Sequence, residues 1–240
     1  IVKKSINEGL AGTEYEDRIL GFQSGQFIEK NRQNELLNGG LLNTIVPYVT
    51  AMMEVKSSMG VIVAAPTAGA CAALPGTCAA VVKEMNLSDD EMTKAMLAAG
   101  MIGVFIAAYS TFAAEVGGCQ AEGGSASGMS AAALITMMNG TAEQATSAAS
   151  MAIQNMLGLI CDPVANRVEV PCLGKNVMAA SNALSCANMA LSDFNALIPL
   201  DEVIDTMNKV GESLPSELCC TALGGLSITK TSKEIERRLA

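Results

Sequence analysis

The chain has 240 residues, half of them apolar, which is enough to bury a core in one large domain or two small ones, and a single body is expected. A formal charge of -9 with no long basic run excludes the clustered Lys and Arg that phosphate-backbone binding needs, so nucleic acid is not an expected partner. Aromatics make up 3% and Trp is absent, leaving Ala, Met, Leu, Ile and Val, with 22 Gly, to build an interior suited to closely spaced helices.

In chain order, residues 1 to about 30 are polar and carry Gly9, Gly12, Gly21 and Gly25, so a loosely attached or extended arm is expected there, followed by one helical domain over 31–240. Pro66, Pro199 and Pro215 stand where helices could begin, because proline is tolerated in a first turn. Ser88-Asp-Asp-Glu91 is a capping box that opens a helix running to about Ala114. A helix from about Ser125 to Asn139 is closed by Gly140, and Thr141-Ala-Glu-Gln144 opens the next. Another helix begins near Gly174, and Thr231-Ser-Lys-Glu234 starts a short C-terminal one. Val61-Ile-Val63 and Val168-Glu-Val170 are too short to define a sheet. The expected fold is all-α, a bundle whose Ala and Gly faces let the helix axes approach closely.

Two stretches, Ala95 to Ala114 and Asn176 to Ser192, lack charge for about the length of a bilayer span. They are rich in Ala, Gly, Ser, Thr and Asn, have no Trp belt, and are joined by acidic rather than basic loops, so a buried helical bundle is preferred to a membrane protein. The segment Ile1 to Glu8 is polar and lacks the apolar core of a secretory signal, and with no Met at its head residues upstream are expected. Eight cysteines in such a chain point to a reducing compartment, the cytoplasm, and to thiol chemistry rather than a disulfide framework.

Those cysteines divide by context. Cys71, Cys78 and Cys186 lie in Ala-rich helical runs, where cysteine acts as a small apolar filler. Cys219 and Cys220 are adjacent, so at most one is expected to reach a shared metal. Cys119, Cys161 and Cys172 instead occupy Gly- and Pro-marked turns at expected helix ends, where a thiolate is free to reach a metal; the plain alternative is that they too are filler. Structural zinc wants four N or S ligands, frequently in Cys-x-x-Cys pairs, and this chain has no such pair and no histidine. An iron-sulfur cubane fits three thiolates better and leaves one iron open to act as a Lewis acid.

The turn Ala65-Pro66-Thr67-Ala68-Gly69-Ala70 could present backbone N–H groups and the Thr67 hydroxyl to an anion such as an amino-acid carboxylate, or could simply be a tight turn. Lys175 and Asn176, at the start of the helix after Cys172, are further candidates for holding substrate. Gly123-Gly-Ser-Ala-Ser-Gly128 has neither the Lys of a P-loop nor a preceding strand, so nucleotide binding is rejected.

Taken together, Pro66-Thr-Ala-Gly69, Gly118-Cys-Gln-Ala-Glu122, Leu157-Gly-Leu-Ile-Cys-Asp-Pro-Val164, Val168-Glu-Val-Pro-Cys172 and Ala222-Leu-Gly-Gly-Leu226 resemble the catalytic alpha domain of the bacterial iron-sulfur L-serine dehydratases. The resemblance covers most of residues 40–228. It implies an all-helical fold, a [4Fe-4S] cluster held by Cys119, Cys161 and Cys172, no pyridoxal phosphate, and conversion of L-serine to pyruvate and ammonia. It also implies a separate beta chain in an oligomeric enzyme. With no histidine here, an imidazole base would have to come from that chain, since Lys175, Glu115 and Glu122 read more simply as packing or surface charges. Two departures stand out: the C-terminal cysteine that serves single-chain members as a temporary fourth ligand is missing from Thr231 to Ala240, and the N-terminal portion is short. The alternatives are a related lyase acting on L-cysteine or another β-substituted amino acid, and a helical interaction or membrane-associated subunit with packing cysteines.

Overall fold

A computed structural model describes residues 1–239. The helices are α1 (Val2–Ala11), α2 (Ser24–Arg32), α3 (Leu42–Ser57), α4 (Ala73–Met85), α5 (Asp89–Tyr109), α6 (Ala114–Cys119), α7 (Ser125–Met137), α8 (Ala142–Gln154), α9 (Cys172–Leu191), α10 (Leu200–Ser213) and α11 (Lys230–Leu239). Among the described residues there is no strand, only an isolated parallel bridge between Cys161 and Cys219. The all-α expectation holds.

Helix α7 is the hub. Its sequence is Ser, Ala and Gly with few large side chains, it is buried along nearly its whole length, and α4, α5, α8 and α9 pack round it. Small side chains are what let four neighbours come close at once: a Cβ on Gly128 would lie 2.9 Å from the Ile153 side chain of α8. Two of the buried hydroxyls of α7 are satisfied in place, Ser127 Oγ donating to the Ala179 carbonyl of α9 at 2.8 Å and Ser130 Oγ to the Ala126 carbonyl of its own helix at 2.6 Å.

Local signals set the helix starts. Ser88 and Thr141 each form both arms of a capping box, with Glu91 and Gln144 respectively. Pro199 precedes α10 as expected. Pro215 opens only a single short turn, Ser216–Leu218, and Pro66 opens no helix, the chain staying irregular until Ala73. Helix α5 stops at Tyr109 rather than Ala114: Ser110 swings to extended geometry, and Thr111 Oγ1 accepts the Ala113 N–H at 3.0 Å to begin the separate turn of α6. By length and composition α5 alone, among the described residues, could cross a membrane, yet Met92, Ala95, Ala99, Ile102, Gly103 and Ile106 form a buried stripe, and α5 packs on α7.

The N-terminal residues differ from the extended arm expected of them. Val2–Ala11 is helical and lies on α3, where a Cβ on Gly9 would come within 2.4 Å of the Ala51 carbonyl oxygen. The following residues are held by two buried carboxylates. Glu54 of α3 accepts from the Gln23 and Ser24 N–H groups at 2.8 and 3.0 Å and from Ser24 Oγ at 2.7 Å, capping α2 from outside. Glu169 accepts from Ile19 and Leu20 in the same way. These anchors lie 30 and 150 residues away from their partners, so local composition could not announce them.

Glu54 is the acceptor for three donors, and its removal leaves two of them, the buried Ser24 N–H and hydroxyl, without a partner. Glu54→Ala should lower the unfolding free energy by about 1–3 kcal/mol per unsatisfied buried group, read as a fall in the urea midpoint with little change in helical circular dichroism.

Candidate functional site

The cysteines at positions 119, 161 and 172 arrive from three separated segments. Cys119 is the last residue of α6 and is followed by a π-helical turn, Gln120–Gly124. The residue before it, Gly118, has φ of +72°, and a Cβ there would meet the Leu159 carbonyl oxygen at 2.9 Å, so only glycine admits both the turn and the contact. Cys161 does not end α8, as expected from its position; α8 stops at Gln154 and Gly158 turns the chain through φ of +82°. Cys161 then lies extended, with its N–H on the Leu218 carbonyl at 2.8 Å and its own carbonyl accepting from Cys220 N–H at 2.9 Å. Cys172 is the first residue of α9, two residues earlier than the helix start read from sequence.

Two side-chain amides hold this arrangement. Gln120 is fully buried: Nε2 donates to the Met207 carbonyl of α10 at 3.0 Å, Oε1 accepts the Gly158 N–H at 2.9 Å, and its backbone N–H donates to the Leu159 carbonyl at 2.9 Å. Asn176 receives the Ala72 and Ala73 N–H groups on Oδ1 at 3.2 and 3.1 Å and donates to the Gly69 and Cys172 carbonyls at 2.8 and 2.9 Å. Its hydrogen-bonding capacity is thus spent on main chain, tying the Thr67 turn and the start of α4 to Cys172.

Cys161, Cys172 and Cys220 line a cavity of about 550 Å³ with Thr67, Ala68, Gly69, Glu115 and Glu122. A narrow recess beside it is lined by Cys119, Cys172, Glu122, Lys175 and Asn176. Every residue singled out from the sequence as metal or substrate ligand is therefore at one place in the fold. A second hollow, of about 620 Å³, lies between Phe105, Tyr109, Ser150 and Ile198; its charged lining is Glu143 and Asp201, and it holds no thiol.

The electrostatics order the thiols. Cys119 is held below the usual thiol range by a hydrogen bond from Cys161, burial opposing and Lys175 assisting. Cys161, donating that bond, is correspondingly kept protonated. Burial pushes Cys172 up to about 12, and Cys71 and Cys78 up to about 11 and 12; the last two are packed in the core as filler. Lys175 sits 15% exposed, its Nζ donating to the Ile160 carbonyl at 2.7 Å and to Asp162 Oδ1 at 3.0 Å. Burial pulls its pKa down, but Cys119 and Asp162 together raise it overall, so it remains an ammonium. Asp162 Oδ2 accepts the Leu226 N–H at 2.9 Å, and a Cβ on Gly225 would sit 2.6 Å from that oxygen, which accounts for the Gly-Gly pair.

Glu122 faces the cavity. Burial raises its pKa, against the Thr67 hydroxyl that donates to it at 2.7 Å. A Cβ on Gly69 would meet Glu122 Oε1 at 2.3 Å, so the carboxylate rests on a bare backbone. Thr67 Oγ1 also accepts the Ala70 N–H at 3.0 Å, whereas the N–H groups of Ala68 and Gly69 have no acceptor among the described residues. Lys56, which the sequence reading passed over, lies at the end of α3 with its ammonium on the Val168 carbonyl and close enough to Cys71, Cys172, Glu169 and Glu122 to feel their charge; burial lowers its pKa. Its one signal was a lone lysine closing an apolar helix. No three His, Cys, Asp or Glu side chains among the described residues close round a single metal ion.

Residues 1–227 match the family model described as serine dehydratase alpha chain. The probable L-serine dehydratase alpha chain of Bacillus subtilis (strain 168) is 41% identical over 239 residues, covering 100% of this chain and 80% of that one. The probable alpha chain from Latilactobacillus sakei is 45% identical over 194 residues, 81% of this chain and 93% of that one. The L-serine dehydratase alpha chain of Peptoniphilus asaccharolyticus is 42% identical over 225 residues, 94% and 76% of the two. With its residues from the first helix to the Gly-Gly turn inside that match, the chain belongs to the serine dehydratase alpha-chain family.

Proposed function

We propose that this chain is the catalytic subunit of an L-serine dehydratase and that Cys119, Cys161 and Cys172 hold a [4Fe-4S] cluster. The observation that carries the reading is the meeting of these three buried thiols, from three separated segments, beside a cavity whose other polar walls are Thr67, Glu122 and Lys175. The donor set fits the cluster: three buried thiols from separate segments and no histidine in the chain, and a cubane spreads its thiolates over different irons. When bound, the cluster supplies a Lewis-acidic iron for the departing β-hydroxyl of serine.

The protein groups supply the rest. Serine enters as a zwitterion, and the wall is matched to it. The free Ala68 and Gly69 N–H groups, with the Lys175 ammonium nearby, suit its carboxylate, and Glu122 suits its ammonium. Thr67 orients Glu122, and Asn176 keeps the turn against Cys172. Lys175 is paired with Asp162 and kept charged, so it positions rather than takes a proton. Removal of the α-proton is assigned to a group on a separate beta chain that closes over the cavity, and pyridoxal phosphate has no part in the reading. Loss of water then releases an aminoacrylate that hydrolyses to pyruvate and ammonia. Eight cysteines without a disulfide suit a reducing compartment, and the cytoplasm is the proposed location.

Anaerobic loading with iron and sulfide should give broad charge-transfer absorbance in the visible, and with the beta chain present, pyruvate formation from L-serine. Cys161→Ser should remove both; a spectrum unchanged by it would end the ligand assignment. Lys175→Gln removes a charged contact worth about 1.5–3 kcal/mol, so KM for serine should rise roughly 10- to 100-fold with the iron content unaltered.

A further inference from the structure

Of the eight cysteines, Cys220 alone is not buried. It was set aside with Cys219 as one of an adjacent pair, yet the two residues face different ways. Cys219 pairs with Cys161 in the parallel bridge and turns its Sγ to the Val116 carbonyl, 3.9 Å away. Cys220 adopts φ of +61°, a left-handed conformation uncommon outside glycine and asparagine, and lines the same cavity as Cys161. Their backbones are joined by the Cys220 N–H on the Cys161 carbonyl at 2.9 Å. Cys220 is one residue beyond the one in register with Cys161, so a strand spacing of about 4.8 Å and a rise of about 3.3 Å per residue put their Cα atoms about 6 Å apart, inside the span of about 4.4–6.8 Å that disulfides bridge. Both thiols line the 550 Å³ cavity, and Cys220 is the more exposed of the two.

We propose that Cys161 and Cys220 form a reversible disulfide when no metal engages Cys161, and that this bond closes the site to reloading until it is reduced. The oxidant is a low-molecular-weight disulfide. The Cys220 thiolate attacks one of its sulfurs, forming a mixed disulfide and releasing one small thiol. The Cys161 sulfur, giving up its proton as it attacks, then displaces the second small thiol, each leaving group taking up one of the two protons the protein gives up. The protein loses two electrons and the small disulfide gains them. The link itself is independent of the cluster reading; its effect on reloading rests on that reading.

The test uses the full chain stripped of metal by a chelator under argon and then treated with oxidised glutathione. The expected product has lost two hydrogens, carries no retained glutathione, and yields a Cys161–Cys220 cross-linked peptide. Its uptake of iron and sulfide is lost and returns after dithiothreitol. Cys219→Ala should form the same link, and Cys220→Ala should not. A chain that keeps all eight thiols open to alkylation, retains glutathione as its end product, or links Cys119 to Cys161 instead would overturn the proposal. The peptide map of the wild-type chain decides this even if the Cys220 variant does not fold. Should the reduced wild-type chain take up no iron and sulfide at all, the cluster reading falls while the map still decides the disulfide.

Discussion

A buried amide bonded through both its oxygen and its nitrogen is a rigid cross-link, and the site depends on two of them. Gln120 bonds α10 and the Gly158 loop to the residue after Cys119; Asn176 bonds the Thr67 turn and the head of α4 to Cys172. Neither the Gly158 loop nor the Thr67 turn is regular secondary structure, so no ladder of backbone bonds would otherwise fix them. In a dry interior an unpaired amide costs about 1–3 kcal/mol, and every alternative placement of these loops would leave several unpaired at once. The thiols are accordingly held by polar side chains rather than by the helices alone.

Such cross-links require close approach, which the composition provides. The interior is built from Ala, Gly, Ser and Met with almost no aromatic volume, so helix axes and loops come near enough for a short side chain to span two segments. Where α10 crosses α6, a Cβ on Gly211 would lie 2.8 Å from the Gly117 Cα, and this backbone-on-backbone contact brings the Met207 carbonyl within reach of Gln120. The fold's small residues and its buried polar links are one design.

That division explains what could be read from the sequence. The capping boxes at Ser88 and Thr141 are bonds between residues three apart, and the turns around Cys119, Cys161 and Cys172 are marked by neighbouring Gly and Pro; both are visible in a short window. The docking of residues 19–24 by Glu54 and Glu169, the pairing of Cys161 with Cys219, and the approach of Lys56 to the thiols are contacts between distant segments. Glu122 was noticed only as a packing charge because its role depends on Gly69 having no side chain, 53 residues earlier, and on the Thr67 hydroxyl, 55 residues away. Composition announces that an acid is present; only the fold shows which backbone it rests on.

The charges around the cavity also limit what this chain can do by itself. Lys175 is held charged between Cys119 and Asp162, with its protons directed to the Ile160 carbonyl and the Asp162 carboxylate. Asp162 is in turn committed to Leu226, and Glu122 accepts from Thr67. Each of these groups already has a protein partner, as positioning groups require, and a group so engaged must break that bond before it can act as a base. These three groups therefore suit the binding and orienting role proposed for them, while a step that needs a free lone pair is better met by a group outside this hydrogen-bonded set, and the chain has no imidazole to offer. In the division of labour proposed above, these hydrogen bonds suit this chain to orientation and leave proton abstraction to a partner.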